Sequence, residues 1–524
     1  MPTTPPGRDP APSARSSSAA GRVYLVGAGP GDPELLTLAG ARRLAEADVV
    51  LYDYLANDAL LRHAAPHAER VGLGRHGVGK LWTQDEINQR MVAEAQAGRT
   101  VVRLKGGDPS VFGRVAEEIT ALQAAGVEYA IVPGVTTAVA AGAYAGVTIT
   151  DRDHASCVAL VTGHDRRDGD PSGTADFAKL AAFPGTLVVY MGVTNAPEWS
   201  RRLIEAGKPA DTPVTIVRRC SLPDQQTLHG VLGDLPTILA PKRMRPPLVV
   251  VIGAVAGATE DTNWFTSRPL FGKTVLVTRP AGQGGAMAQR LADLGARVLE
   301  HPVIAITPPD DPAALDDAID HLADYSWIAF SSRNGVDVLL TRMQERGRDA
   351  RSFGGAKIAA IGPATSEALA AWRLHADVVP DEYRAEALAE SLREEVTGRR
   401  VLLIRASRGR ETLAETLREA GAEVDQVVAY QSRDVTTPDE AILEEITAGR
   451  VDWITVTSSA IARATTALFG KAIRESPTSP RFAAISPLTA ATLQDVGYEA
   501  DAVASEYTAD GVIDAILKHA GWES

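Results

Sequence analysis

Between Val101 and Glu118 the chain reads VVRLKGGDPSVFGRVAEE, an apolar run that meets two glycines and continues into a segment carrying paired charges. Val101, Val102 and Leu104 mark the end of a strand. Gly106 and Gly107 lack a Cβ, so the backbone can turn sharply there and approach a ligand closely. Pro109 suits the first turn of a helix, where its missing N–H has no helical partner. Taken alone, the stretch is a tight strand-to-helix connection with Arg114, Glu117 and Glu118 in solvent. A related unit begins at Val23, where VYLVGAGPGDPELLTLAGARRLAEADVVLYDYL reads as strand, glycine loop, helix and strand. Such units build parallel α/β sheets, so an α/β fold is expected.

A chain of 524 residues exceeds one ordinary core and divides into two to four domains, each large enough to need no metal or disulfide. Aromatic residues supply only 5%, so the cores are expected to be Ala, Val and Leu in layered packing. The formal charge is -13, and it is uneven: residues 21–263 hold 24 basic against 27 acidic side chains, residues 264–524 hold 27 against 38. No basic domain emerges to neutralise phosphates, which argues against nucleic acid as a partner. A polyanionic small molecule would need a local arginine cluster. Cys157 and Cys220 have no CxxC spacing and give neither a disulfide framework nor a metal site. Residues 1–20, rich in Pro, Ser and Ala, read as a disordered tail rather than a signal peptide. No run of about eighteen apolar residues follows, so no membrane span is expected, and the cysteine usage makes the cytoplasm the expected location.

The first glycine loop, Gly27-Ala28-Gly29-Pro30-Gly31, lacks the third glycine of the dinucleotide fingerprint, and Pro30 removes an amide that a pyrophosphate would use. Asp53 closes the second strand at the sheet edge where ligands collect in open α/β folds. Arg75, His76 and Lys80 form a basic loop before a helix starting at Gln84. Thr136, Thr137 and Ala138 follow a Pro-Gly turn; such small residues permit close packing and equally an adenosine laid against backbone. From Cys157 the runs CVALVTGH, TLVVYMG, TPVTIVRRC and PPLVVVIG indicate a second α/β subdomain. By residue type alone, Met191 belongs in its core.

Residues 21–256 resemble the uroporphyrinogen-III C-methyltransferases of the tetrapyrrole methylase family. The blocks that carry this are VGAGPGDPELLTL, VVLYDYL, QDEIN, VVRLKGGDPSVFGR and PGVTTAVAAGAYAG, then TGH and YMG. The resemblance implies two α/β subdomains with S-adenosylmethionine in the cleft between them. It places Pro30, Gly106, Gly107, Asp108, Val111, Thr136, Thr137 and Met191 at the cofactor, with Cys220 where the family has a late glycine. Asp108 would pair with the cofactor's ammonium. Methyl transfer is an in-line displacement, so the protein chiefly aligns donor and carbon nucleophile in a dry cleft. The acceptor carries eight carboxylates, for which Arg75, Arg114 and Arg152 are candidates. Asp53 and Arg114 are the family's candidates for moving the macrocycle proton, with Glu117 orienting Arg114. The chain departs from the family at Gly74-Arg75-His76, where Gly-Lys-Arg is usual, at GRVAEE in place of GRGGEE, and at Ser110. A homodimer through this half is implied by the resemblance only.

After a stretch read as linker over 260–270, strand-to-helix units recur, among them WIAFSSRNGVDVLL, KIAAIGPATSEALAAW, WITVTSSAIARA and RFAAISPLTAATLQDVGYEA. Two share the layout Ile-Gly/Ser-Pro-x-Thr, which points to duplicated halves. Taken one by one, Ser and Thr after strands are helix caps. Residues 271–520 resemble the uroporphyrinogen-III synthases, whose fold has two flavodoxin-like domains with the chain leaving the first and returning to it. Mapped here, 271–306 plus 432–520 form one lobe and 307–431 the other, and Ser332, Thr365, Tyr430, Ser458 and Thr489 fall on cleft positions. Ring closure of hydroxymethylbilane needs no cofactor, and Tyr430 is the candidate donor to the leaving hydroxyl.

The reading is a bifunctional enzyme of tetrapyrrole biosynthesis: 271–520 makes uroporphyrinogen III and 21–259 methylates it twice to precorrin-2, towards sirohaem and cobalamin. Two alternatives are a methyltransferase with a non-catalytic tetrapyrrole-binding second half, and a methylase for another precursor of the same family.

Overall fold

The computed structural model describes residues 21–74, 81–163, 176–240, 244–257, 263–408 and 411–522. The expected tail over 1–20 and the basic loop residues Arg75, His76 and Lys80 lie outside them. The chain divides into two compact units, Met1–Gly272 and Lys273–Ser524.

The first unit opens with five parallel strands, β1 (Arg22–Gly27), β2 (Val49–Tyr52), β3 (Glu69–Gly72), β4 (Thr100–Lys105) and β5 (Glu128–Val132). They lie in the order β3-β2-β4-β1-β5. β4 is central and covered on both faces, which is why its sequence is nearly continuous in apolar residues. Val102 and Leu104 join Val26 and Val50 on one face. Val101 joins Leu25, Leu51, Met91 and Leu122 on the other. Helices return the chain between strands with local stops: Thr83 and Glu86 form a capping box at the start of Gln84–Gln96, satisfying two end amides.

The second sheet holds β6 (Val158–Thr162), β7 (Thr186–Tyr190), β8 (Pro213–Arg218), β9 (Gln226–Val231) and β10 (Leu248–Ile252), in the order β6-β7-β10-β8-β9. Only β6 and β7 run parallel; β10 is antiparallel to both β7 and β8. Residues 263–270, inside the stretch read as linker, pack onto this lobe. Phe265 is buried beside Tyr144, Asn263 Nδ2 donates to the Tyr144 carbonyl at 2.8 Å, and Trp264 Nε1 donates to the Ala143 carbonyl at 2.9 Å.

The second unit contains β11 (Thr274–Val277), β12 (Arg297–Glu300), β13 (Ile304–Thr307), β14 (Trp327–Phe330), β15 (Lys357–Ala360), β16 (Arg400–Ala406), β17 (Glu423–Asp434), β18 (Trp453–Val456), β19 (Arg481–Ala484) and β20 (Ala502–Val503). One sheet is β12-β11-β18-β19-β20, all parallel. Its order in chain terms, 2-1-3-4-5, is the flavodoxin order. The other, β13-β17-β16-β14-β15, repeats that order over its four parallel strands and adds β13 antiparallel to the end of β17. The chain thus enters one lobe, builds the other and returns. The long β17 serves β16 along its first part and β13 along its last four residues.

Candidate functional site

At the C-terminal edge of the first sheet three glycines let backbone pack on backbone. A Cβ on Gly27 would lie 2.6 Å from the Gly134 Cα, and one on Gly134 would lie 2.3 Å from the Gly107 carbonyl oxygen. No side chain fits there. Gly29 and Gly107 exchange amide hydrogen bonds across this contact, at 3.2 and 2.7 Å. Gly107 itself has φ +68, and its missing Cβ would point into open space with the Thr136 Cα 4.0 Å away. The two loops therefore form a shallow floor of exposed backbone.

Asp108 holds that floor together. One carboxylate oxygen accepts from the Ser110 amide and hydroxyl, and the other accepts from the Gly134 amide at 2.9 Å. Burial acts to raise the Asp108 pKa, but these hydrogen bonds outweigh it and hold the carboxyl below the usual range. The carboxylate is thus engaged in tying two loops, a role that pairing with a ligand ammonium did not anticipate. Val111 continues the turn, its amide donating to the Asp108 carbonyl at 3.2 Å.

Beneath the loop lies a charge cluster that the sequence reading missed. Side chains alternate along a strand, so Arg103 and Lys105 of β4 project on the same face as Val101, towards the helix Val115–Ala124. There they meet Glu118, which is fully buried rather than solvated. Its Oε1 accepts from Arg103 Nε at 3.0 Å and from Lys105 Nζ at 2.8 Å, while its Oε2 is buried with no partner among the described residues. Arg103 Nη2 reaches forward to Asp53 Oδ1 at 2.6 Å. Two cations and two carboxylates so balance in the interior, as buried charges must. Burial lowers the Lys105 pKa, with the Arg103 charge adding to it and Glu118 opposing. The available signal was the pair of basic residues two apart inside an otherwise apolar strand.

The second lobe closes on this edge through Tyr190, also missed. Its hydroxyl lies 2.7 Å from Thr136 Oγ1 and accepts from the Ala138 amide at 2.7 Å, capping the helix Thr137–Tyr144, whose own N-cap side chain makes no such bond. The Tyr190 ring packs against Phe112 with centroids 5.1 Å apart. Met191 is exposed, at 53%, with φ +53, so the core assignment made from its residue type fails: the strained backbone turns the side chain out of the sheet. Phe112 and Arg114 share this left-handed conformation on the facing loop. Such strain concentrates at functional sites. Leu55, exposed at 41%, closes the floor against Gly106.

Cys220 does not line this surface with its side chain. The thiol is buried with Ala138, Tyr144 and Val217, and burial pushes its pKa up to about 12. Only its carbonyl approaches the first glycine loop, beside Gly31, where Ser221 Oγ accepts from the Asp32 amide at 2.9 Å. Pro30 is half-buried between these two contacts. Arg114 and Glu117 form an exposed two-bond pair, 2.7 and 2.6 Å. Arg152 stands in the exposed turn bridged by Asp151 and Ala155. Thr137 begins its helix half-buried.

In the second unit Ser332, Ser458 and Ser486 each cap a helix, accepting from the amides of Gly335, Ile461 and Thr489. The Ile-Gly/Ser-Pro units begin two related helices, Pro363–Ala371 and Pro487–Asp495, with Thr365 and Thr489 buried at matching positions. Tyr430 is 5% exposed, and its hydroxyl lies 2.9 Å from Ser332 Oγ. Among the described residues no His, Cys, Asp or Glu group is arranged to hold a metal, and no helix is long and apolar enough to cross a membrane.

Comparison with known proteins gives the same division. Residues 22–236 match the family described as tetrapyrrole (corrin/porphyrin) methylases, and residues 285–514 match uroporphyrinogen-III synthase HemD. A parallel and a mixed sheet closing on a glycine floor, followed by paired flavodoxin-like lobes, thus define a tetrapyrrole methylase joined to a synthase. The porphyrin biosynthesis protein HemD of Ruminiclostridium josui is 33% identical over 509 residues, 96% of this chain and 98% of that protein. The chain belongs to that family, a fusion of uroporphyrinogen-III C-methyltransferase and uroporphyrinogen-III synthase acting in tetrapyrrole biosynthesis. The uroporphyrinogen-III C-methyltransferase of Bacillus subtilis is 42% identical over 283 residues, covering 54% of this chain and 58% of that protein. A solved uroporphyrin-III C-methyl transferase of Thermus thermophilus, complexed with S-adenyl homocysteine, is 40% identical over 45% of this chain and 99% of that one, with a TM-score of 0.39.

Proposed function

We propose that the second unit closes hydroxymethylbilane to uroporphyrinogen III and that the first transfers two methyl groups to this product from S-adenosylmethionine, giving precorrin-2. What carries the methylase part is the backbone floor of Gly27, Gly107 and Gly134 set against the exposed apolar side chains Leu55, Phe112 and Met191. Open backbone and apolar surface together suit an adenosine with its thioether. Gly106, Gly107, Thr136, Thr137 and Met191 would hold it, and Pro30 and Val111 would bound it. Bound there, the cofactor supplies an electrophilic methyl group on sulfonium.

The chain's own residues do the rest. Asp53, anchored by Arg103, takes the macrocycle proton at its carboxylate. Arg114 and Arg152 meet substrate carboxylates, with Glu117 setting the orientation of the Arg114 fork. In the synthase, the Tyr430 hydroxyl donates to the departing hydroxyl and is held by Ser332. Ser458, Thr365, Thr489 and their neighbouring helix-start amides receive acetate and propionate groups. Loss of water leaves a reactive cation that the cleft shields until the ring closes.

The test is to give the full chain hydroxymethylbilane with and without S-adenosylmethionine and to determine isomer and methyl count. Type III product alone, doubly methylated when the cofactor is present, is expected. Type I alone would remove the synthase assignment, and unmethylated type III in the presence of cofactor would remove the methylase assignment.

A further inference from the structure

The second unit is the acidic one, and its arginines are mostly paired. Arg342 binds Asp316, Arg400 binds Asp425 and Arg405 binds Glu411. Two arginines in one place break this pattern. Arg279 follows β11 at the C-terminal edge of the all-parallel sheet, the edge where ligands collect in such folds. Burial lowers its pKa and the Arg333 charge lowers it further, with no carboxylate among the described residues acting the other way. Arg333 is the first residue of the helix Arg333–Glu345 in the other lobe, and its Nε is buried without a partner among the described residues.

The surrounding geometry holds the two together. Thr278 Oγ1 donates to the Thr455 carbonyl at 2.6 Å, fixing the end of β11. The Gln283 amide closes a turn on the Pro280 carbonyl at 3.0 Å, and Gln283 Nε2 donates to Asn334 Oδ1 at 2.6 Å, tying the two lobes. One residue before Arg333, Ser332 meets Tyr430. Both guanidiniums are half-buried and near enough for their charges to repel, neither is paired with a carboxylate among the described residues, and such an arrangement is completed by an anion.

We infer that Arg279 and Arg333, one from each lobe, bind a single carboxylate of the linear tetrapyrrole substrate and thereby clamp the lobes onto it. The inference rests on the synthase reading above and assigns two residues which that reading does not use. A guanidinium fork matches a carboxylate in plane, and one carboxylate shared between two forks relieves the repulsion between them.

The experiment uses the full chain and hydroxymethylbilane, scoring type III product with Arg279→Gln, Arg333→Gln, the double variant and Arg333→Lys, together with thermal melting without substrate. Each Gln variant is expected to raise KM about tenfold while kcat stays within about twofold. The double variant should be little worse than either single, because both act on one carboxylate, and Arg333→Lys should recover part of the loss. Melting temperatures without substrate should be unchanged or higher, since a repulsion is removed. Wild-type type III synthesis with KM unchanged in both single variants overturns the clamp alone. So does a KM rise accompanied by a lower melting temperature, which marks a structural role. A wild-type chain giving only the type I isomer overturns the synthase reading and the clamp with it.

Discussion

Arg103 and Asp53 meet at 2.6 Å at the C-terminal edge of the first sheet, and the same guanidinium is anchored from behind by the buried Glu118 at 3.0 Å. The carboxylate proposed to move the macrocycle proton therefore sits at the end of a rigid chain that starts inside the protein. Asp53→Asn should lower the methylation kcat by roughly 10²-fold or more, the usual scale for a general base. Arg103→Lys keeps the charge but cannot serve both carboxylates at once; about a tenfold loss of kcat with cofactor Kd within about twofold is expected. Single-turnover methylation and cofactor titration separate the two. A Kd loss equal to the kcat loss would place Arg103 at the cofactor instead.

Glu118→Ala leaves Arg103 and Lys105 buried against each other. Removing one partner of a buried ionic cluster costs about 3–5 kcal/mol, so urea unfolding should show a large loss confined to the first unit's transition. Adding Lys105→Met should restore part of it by removing the stranded cation. A Glu118→Ala protein as stable as wild type would show that the cluster relaxes into solvent.

Asp108 sets an acid limit. Its folded pKa lies below its unfolded value of about 3.9, so its stabilisation is complete above that value and is lost as pH falls through the folded pKa. Cofactor binding should therefore weaken on acidification below about pH 4, and Asp108→Asn should show the weak binding already at pH 7, with about 1–2 kcal/mol lost after allowing for partial exposure. Binding isotherms between pH 7 and pH 3 check this. An Asn variant with wild-type affinity at pH 7 would refute it.

Tyr190→Phe deletes the hydroxyl shared by Thr136 and the Ala138 amide. A helix-end amide and a threonine then lose their partner inside the lobe contact, at about 1–2 kcal/mol. We expect roughly tenfold weaker cofactor binding with little change in kcat at saturation, measured by calorimetry and initial rates.

Tyr430→Phe tests the synthase. Among the described residues its hydroxyl is hydrogen-bonded to Ser332 alone, so the fold should tolerate the change, while type III synthesis should fall by about tenfold or more if that proton assists departure of the hydroxyl. Undiminished synthesis would remove Tyr430 from the mechanism.

Much of this protein was legible before folding. Glycine spacing, the strand-to-helix units and the paired Ile-Gly/Ser-Pro layout report local physics, namely turn conformations and periodicity, which residues near in sequence determine together. They were sufficient for α/β subdomains in the first half and duplicated strand-to-helix halves in the second, while the flavodoxin-like lobes were implied by the resemblance to the synthases. Glu118 was read wrongly because burial is not local: a glutamate beside a solvated one entered the interior only because Arg103 and Lys105 wait across the helix-strand interface. Likewise Met191, which residue type alone would put in the core, follows the five residues of β7 with a left-handed backbone and lies exposed. Cys220 went the other way, its thiol drawn into the core while its carbonyl stays near the glycine loop. The stretch Val101–Glu118 shows the division plainly: its residues determined by themselves that a strand would turn on glycine into a helix, and only tertiary packing decided that the charges on either side of the turn would meet underneath it, because a buried charge finds its partner through space and not along the chain.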